Sequence, residues 1–181
     1  MSTGGRKASI LDRPLSKSKA EINVATFAFL FSEMVSYCEK RASTVSDLNG
    51  RLHALGYEVG TKILDVNYIR EKGYKREINL QKMLTFIKTS IWRSLFGREA
   101  DGLNQDQKDQ NVYYILEKEP LVNNFFSMPK DRQNVQCTSF TAGIIEAFLI
   151  GSNYNAKVSA HYHNGTMYRI EFDDATLSKV G

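Results

Sequence analysis

Cys137 stands at the head of the run CTSFTAGIIEAFL, residues 137–149, and that placement carries one specific chemistry. At the mouth of a helix, amide donors and the dipole lower a thiol's pKa and make it a nucleophile. Hydroxyls lie beside it at Thr138 and Ser139, and histidines follow at 161 and 163, the chain order of a cysteine hydrolase. The last hairpin opposes that reading. A two-residue turn at Asn164-Gly165 would set Val158, Ala160 and Tyr162 on one face with Met167, Arg169 and Glu171, mixing core with charge. A three-residue loop His163-Asn164-Gly165, with Gly165 left-handed, pairs Tyr162 with Thr166 and shares the face with Tyr168, Ile170 and Phe172 instead. In that register His163 sits in an exposed loop and His161 on the polar face beside Ser159, with no acid to orient either ring. The helix after Cys137 argues the same way. Phe140, Ile144, Ala147 and Phe148 line one face and Ala142, Ile145 and Leu149 the next, leaving Ser139 and Glu146 as almost its only polar side chains. Such a helix belongs in a core, where a cysteine behaves as a small hydrophobe. The residues therefore predict Cys137, Gly143, Ile144 and Phe148 as parts of a core helix, with Gly143 admitting a neighbouring backbone.

Other chemistry is thinner still. His161 and His163 offer two metal ligands and lack two more at a workable spacing, and His53 reads as a rim residue on a helix flank. Gly4-Gly5 lies in a tail and Gly56 and Gly60 inside a helix, so neither pair is a phosphate loop after a strand. No cofactor and no metal is expected. The two cysteines, Cys38 and Cys137, lie in distant segments, which indicates neither a disulfide framework nor a zinc site and fits a reducing compartment.

The net charge of +4 invites a nucleic-acid reading until it is located. Arg6, Lys7, Arg13, Lys17 and Lys19 against Asp12 alone place all of it in residues 1–19, and the rest of the chain is balanced. A balanced domain has no net charge to drive counterion release from a duplex, so nucleic acid is not an expected partner. The basic tail is expected to be disordered, adding at most weak contact with anionic lipid. With 181 residues, 42% of them apolar, the chain suffices for one core. The expected organisation is a tail over 1–19, one domain over 20–175 and a short tail over 176–181. No leader pattern and no apolar run of about 18 residues is present, so a cytoplasmic protein is expected.

The elements that hold these residues follow from periodicity. Ser18-Lys19-Ala20-Glu21 has capping-box spacing, and helix one should run from there to about Ala42. Phe27, Leu30, Phe31, Met34 and Cys38 share a face that Val24, Ala28, Val35 and Tyr37 widen past the arc of about 100° that one core needs, and Phe29 is apolar on the far side. Helix two should begin near Ser46 and carry Leu48, Leu52, Leu55, Val59 and Ile63 in a line beside Gly56 and Gly60, glycines that suit close approach by another helix. Helix three follows Asn79 as cap and ends at Gly97. Residues 98–111 read as a surface loop, and VYYILEK (112–118) as a strand paired with LVNNFF after Pro120. The predicted order of three helices, two strands, a helix and two strands is an α+β domain, with helices packed on a four-stranded antiparallel sheet.

Three stretches together resemble the small α/β-plait subunits of the transport protein particle, the TRAPP tethering complex: LGYEVGTKILD (55–65), YILEKEPLVNNFFSMP (114–129) and TAGIIEAFL (141–149). The opening AEINVATFAFLFSEMV (20–35) looks like the subunit 5 type within that family. The resemblance covers about residues 22–173. It implies a noncatalytic subunit of a complex that tethers vesicles in ER-to-Golgi transport and promotes nucleotide exchange on a Rab-type GTPase. It also implies a place peripheral to Golgi and endoplasmic reticulum membranes, and pairing with a sister subunit through helices one and two. The apolar arcs nominate Phe27, Phe31, Met34, Leu48, Leu52, Leu55, Gly56, Val59 and Gly60 for that interface. Some members carry an acylated cysteine near the junction of helices two and three, where REKGYKREINL (70–80) has none. An acyl-chain or small-molecule binding domain and a hydrolase using Cys137 stand as the alternatives.

Overall fold

The computed structural model describes residues 22–70, 79–123 and 135–174. The capping box at 18–21, both expected tails and most of the 70–80 junction lie outside the described residues. Helix α1 (Val24–Glu39) opens instead at Asn23, whose side chain accepts the Ala25 N–H at 2.9 Å. Helix α2 (Val45–Arg70) begins one residue before the expected Ser46. The cause is a reciprocal cap in which the Thr44 hydroxyl accepts the Asp47 N–H and the Asp47 carboxylate accepts the Ser43 N–H. That Ser43 bond is the first reason the Asp47 carboxyl sits below its usual range.

The third helical rod is interrupted. Helix α3 (Leu80–Phe86), capped by Asn79, passes through a π turn over Ile87–Ile91 into α4 (Trp92–Phe96), and Gly97 ends it at φ 74°. The wide turn is invisible to a 3.6-residue pattern. At this turn the Lys88 carbonyl accepts the Ala100 N–H, which anchors the chain as it leaves for the sheet.

Four antiparallel strands follow in the order β1-β2-β4-β3: β1 Gly102–Gln105, β2 Val112–Glu117, β3 Ala156–Tyr162 and β4 Thr166–Phe172. The expected loop 98–111 therefore contains an edge strand, with Leu103 opposite Ile115. LVNNFF is not the partner of β2, because Leu121–Asn123 is a 3-10 turn behind Pro120 and 124–126 lie outside the described residues. The last hairpin has the expected register, Tyr162 opposite Thr166 and Ala160 opposite Tyr168. Its loop puts Gly165 at φ 123°, the positive φ expected of it, and Asn164 at φ 52° beside it. A Cβ on Gly165 would also stand 2.7 Å from the Glu117 carbonyl oxygen.

Helix α5 (Ser139–Gly151) fills the space under the sheet, with ten of its thirteen residues buried. It crosses α2 backbone against backbone. A Cβ on Gly143 would fall 2.0 Å from the His53 carbonyl oxygen, and one on Gly56 1.9 Å from that of Phe140. Gly60 meets Ile144 and Ala147 at 2.8 to 2.9 Å in the same way. The glycines expected to admit a neighbouring helix thus do so within the chain. Gly143→Ala and Gly56→Ala should each lower stability by about 1 to 3 kcal/mol or more through overpacking, and Gly143→Leu by more. Gly50, in the same helix with nothing within 4 Å of its Cβ position, should instead stabilise by about 0.5 to 1 kcal/mol as Gly50→Ala. Urea unfolding of the three alanine variants checks the contrast.

Candidate partner-binding face

Helix α1 has more apolar residues than one core can cover, and the fold sorts them by direction. Phe31, Val35 and Cys38 point inward and are buried, with Phe31 only 1% exposed against Phe140. Phe27, Leu30 and Met34 turn toward a groove of about 200 Å³. Its remaining walls are the buried Phe31 of α1, Val59 and Ile63 of α2, Leu95 and Phe96 of α4, and Phe140 and Ile144 of α5. Every lining residue is apolar. Leu30 stands at the rim, 59% exposed, and Tyr37 is exposed two turns further along, its ring covered by the Arg41 guanidinium at 3.7 Å.

This divides the residues nominated for an interface. Phe27, Met34 and Val59 line the groove, and Leu55 is half-buried against the core. Leu48 and Leu52 are buried in the core, Phe31 is buried and also lines the floor of the groove, and Gly56 and Gly60 stand at the α2 contact with α5. A stripe wider than one core needs is visible in sequence, whereas which part of it the chain covers itself depends on where α5 lies. Leu95 and Phe96, which complete the groove, were missed because the π turn sets the direction of that last helical turn.

Cys137 is 3% exposed, and burial pushes its thiol up to about 11, the opposite of an activated nucleophile. Gly143, Ile144 and Phe148 are buried with it. His161 shares a hydrogen bond of 2.8 Å with the exposed Ser159 hydroxyl, and His163 lies in the exposed loop. His53 is a half-buried rim residue whose Nε2 stands 3.4 Å from Glu146. Among the described residues no group of three His, Cys, Asp or Glu side chains could hold a metal.

Two carboxylates, the half-buried Glu146 and the buried Glu117, carry the polar structure of the core. Glu146 accepts the Val158 N–H at 2.8 Å and faces His53, so it ties α5 to the edge strand β3 and to α2. Burial pushes its carboxyl up, but the bonds from His53 and Val158 outweigh that and hold it below the usual range. Glu117, 2% exposed, accepts from Trp92 Nε1 at 3.3 Å and from the Tyr168 hydroxyl at 3.0 Å, with Arg98 at 3.4 Å. Here burial prevails over all three donors and raises the carboxyl. Sequence reading missed Glu117, although strict alternation with Tyr113 and Ile115 places it on the inner face.

Two outcomes follow from these environments. In the native state Cys137 should alkylate more slowly than free cysteine at neutral pH, and Cys137→Ser should cost modest stability. Thiol labelling followed by mass spectrometry reads the first, and faster labelling than free cysteine would bring the hydrolase back. Because the folded state raises the carboxyl of Glu117, it binds that proton more tightly than the unfolded chain does. The contribution of Glu117 is therefore fully present below its unfolded value and is lost as pH rises through the folded one. Wild type should gain stability relative to Glu117→Gln as pH is lowered from 7 toward the ordinary carboxyl range, measured as the difference between two urea titrations.

Residues 27–173 match the sequence profile of the family described as Transport protein particle (TRAPP) component. Trafficking protein particle complex subunit 5 of Bos taurus is 44% identical over 173 residues, covering 96% of this chain and 92% of that protein. The subunit 5 of Dictyostelium discoideum is 44% identical over 153 residues, covering 84% and 82%. A solved structure of trafficking protein particle complex subunit 3 from Naegleria fowleri, covalently bound to palmitic acid, superposes with a TM-score of 0.73 at 18% identity over 84% of this chain and 96% of that one. With the family profile matched over residues 27–173, the chain belongs to the TRAPP component family.

Proposed function

We propose that this chain is a noncatalytic, structural subunit of a TRAPP vesicle-tethering complex acting in ER-to-Golgi transport. In this reading it pairs with a sister subunit through the groove between α1, α2, α4 and α5, and it works at the cytoplasmic face of Golgi and endoplasmic reticulum membranes. Nucleotide exchange on a Rab-type GTPase is then a property of the assembly, to which this chain contributes shape. The observation that carries the reading is the open groove, apolar on every wall, in a chain whose relatives are named as subunits of a complex. An exposed apolar surface of this kind marks a place where a partner binds.

An acyl-chain reading has less support. The Naegleria subunit is covalently bound to palmitic acid, but neither cysteine of this chain lines the groove, and both are buried. The groove's 200 Å³ is also below the roughly 300 to 1,000 Å³ of ordinary ligand pockets, a size that suits one or two side chains of a partner helix.

The test must avoid core positions, since a charge at Phe31 or Leu52 unfolds the chain rather than uncoupling it. Leu30→Glu at the rim should leave the melting temperature close to wild type while weakening retention of a sister subunit about tenfold or more, the size of a hot-spot loss. Quantitative co-purification from the source cells measures this. Unchanged recovery of every partner with the double variant Leu30→Glu/Val59→Glu would remove the groove from the interface.

A further inference from the structure

The carboxylate of Glu117 grips both ends of one short element. Its Oε1 accepts from Trp92 Nε1 at 3.3 Å, at the first residue of α4, and lies 3.4 Å from Nη2 of Arg98, two residues past the last. Gly97, at φ 74°, turns the chain so that Arg98 returns to the same oxygen. Oε2 accepts from the Tyr168 hydroxyl at 3.0 Å, which fixes the carboxylate to the interior strand β4. Between the two gripped residues stand Leu95 and Phe96, the α4 wall of the groove, and the Phe96 ring packs on that of Trp92 with centroids 5.5 Å apart.

The grip depends on charge. At 3.3 and 3.4 Å its two bonds to α4 and Arg98 are long, so their attraction rests on the negative charge, which acts over distance, more than on close fit. Of the groups bonded to the carboxylate, Arg98 is the cation and Trp92 is a neutral donor, while burial and the charge of Glu117 keep the Tyr168 hydroxyl protonated. From α5 the uncharged Thr141 stands beside Tyr168, and Arg93 and Glu99, exposed next to α4, pair with each other. Burial holds the Glu117 carboxyl above its ordinary range, so it takes up a proton before an exposed carboxylate does as pH falls. The neutral carboxyl is cheaper to bury but attracts Trp92 and Arg98 less. Protonation that favours the fold therefore loosens the hold on α4.

We propose that Glu117 is a positioning residue for the groove: its negative charge holds both ends of α4, sets where Leu95 and Phe96 stand, and makes the affinity for the partner depend on that charge. The partner half of this rests on the groove being the pairing face, whereas the grip on α4 does not.

Trp92 is the only tryptophan of the chain, so its fluorescence in the full chain reports the grip directly. Its emission should change in one transition as pH falls from 7 toward the ordinary carboxyl range, and Glu117→Gln, neutral and of the same shape, should show the acid-form emission throughout. Retention of the sister subunit by the purified complex should fall over the same range. Glu117→Gln should lower retention about threefold at pH 7, the size of an effect carried through a wall rather than made at the contact, and should abolish that transition. Arg98→Met, which removes the cation past the other end of α4, should weaken retention at pH 7 in the same direction. An emission transition that persists in Glu117→Gln, or none in wild type, would overturn the proposal. Retention by Glu117→Gln equal to wild type at every pH, where Leu30→Glu/Val59→Glu does lose the partner, would overturn it while leaving the pairing reading intact. If Leu30→Glu/Val59→Glu itself loses no partner, the pairing reading fails and takes the partner half with it, and the Trp92 emission still decides the grip.

Discussion

The rest of the structure depends on the place where α2 and α5 touch through their backbones. Gly56 and Gly143 present no side chain at the crossing, and each stands against a carbonyl oxygen of the other helix. Helices held apart by ordinary ridges of side chains could not put α5 where it is, flat beneath the sheet with almost every side chain covered. Glycine costs about 1 kcal/mol per residue in a helix relative to alanine, and the apolar area that α5 then buries offsets it. The crossing also fixes the remaining geometry. It carries Glu146 to the Val158 N–H and His53, and it leaves α1 one face on the core and another open beside α4.

Around that contact two carboxylates bond to the sheet, one at its edge strand and one at the end of an interior strand. Glu146 satisfies an outward amide of the edge strand β3, which blunts a row of donors that would otherwise invite another strand. Glu117 joins the end of β2 to Trp92 of α4 and Tyr168 of β4. The two glutamates sit in opposite electrostatic regimes. Glu146 keeps its proton affinity low because its donors outweigh its burial, while for Glu117 desolvation is the larger effect. A buried carboxylate with three donors specifies how the rod and the sheet meet more than it adds net stability.

Helix α1 carries most of the open apolar surface, because it is apolar in three directions. The inward direction is used by the core, the flank forms the rim of the groove, and the far side remains in water. Membership of the TRAPP family agrees with such a distribution, since a subunit of an assembly needs faces that its own core leaves open.

How much of this was legible in the sequence differs from element to element. The register of the last hairpin was, because alternation has a period of two and only one pairing separates Tyr168, Ile170 and Phe172 from Arg169 and Glu171. The core placement of Cys137 was also legible, because the run after it is apolar on every side of a helix. β1 was not, because Gly102–Gln105 has one apolar residue and becomes a strand only through backbone bonds to β2. LVNNFF misled because its β-branched and aromatic content says nothing of the Pro120 turn that precedes it. The partner face was half legible. By itself the sequence determined that α1 and α2 hold more apolar surface than one core needs and that their glycines must meet another backbone, since both are local properties of spacing and residue type. Only the tertiary structure decided that this backbone is α5 and that Phe31 and Leu52 are therefore interior while Leu30 and Phe29 are not, because burial belongs to the packing of distant segments and no periodicity within a helix encodes its neighbour.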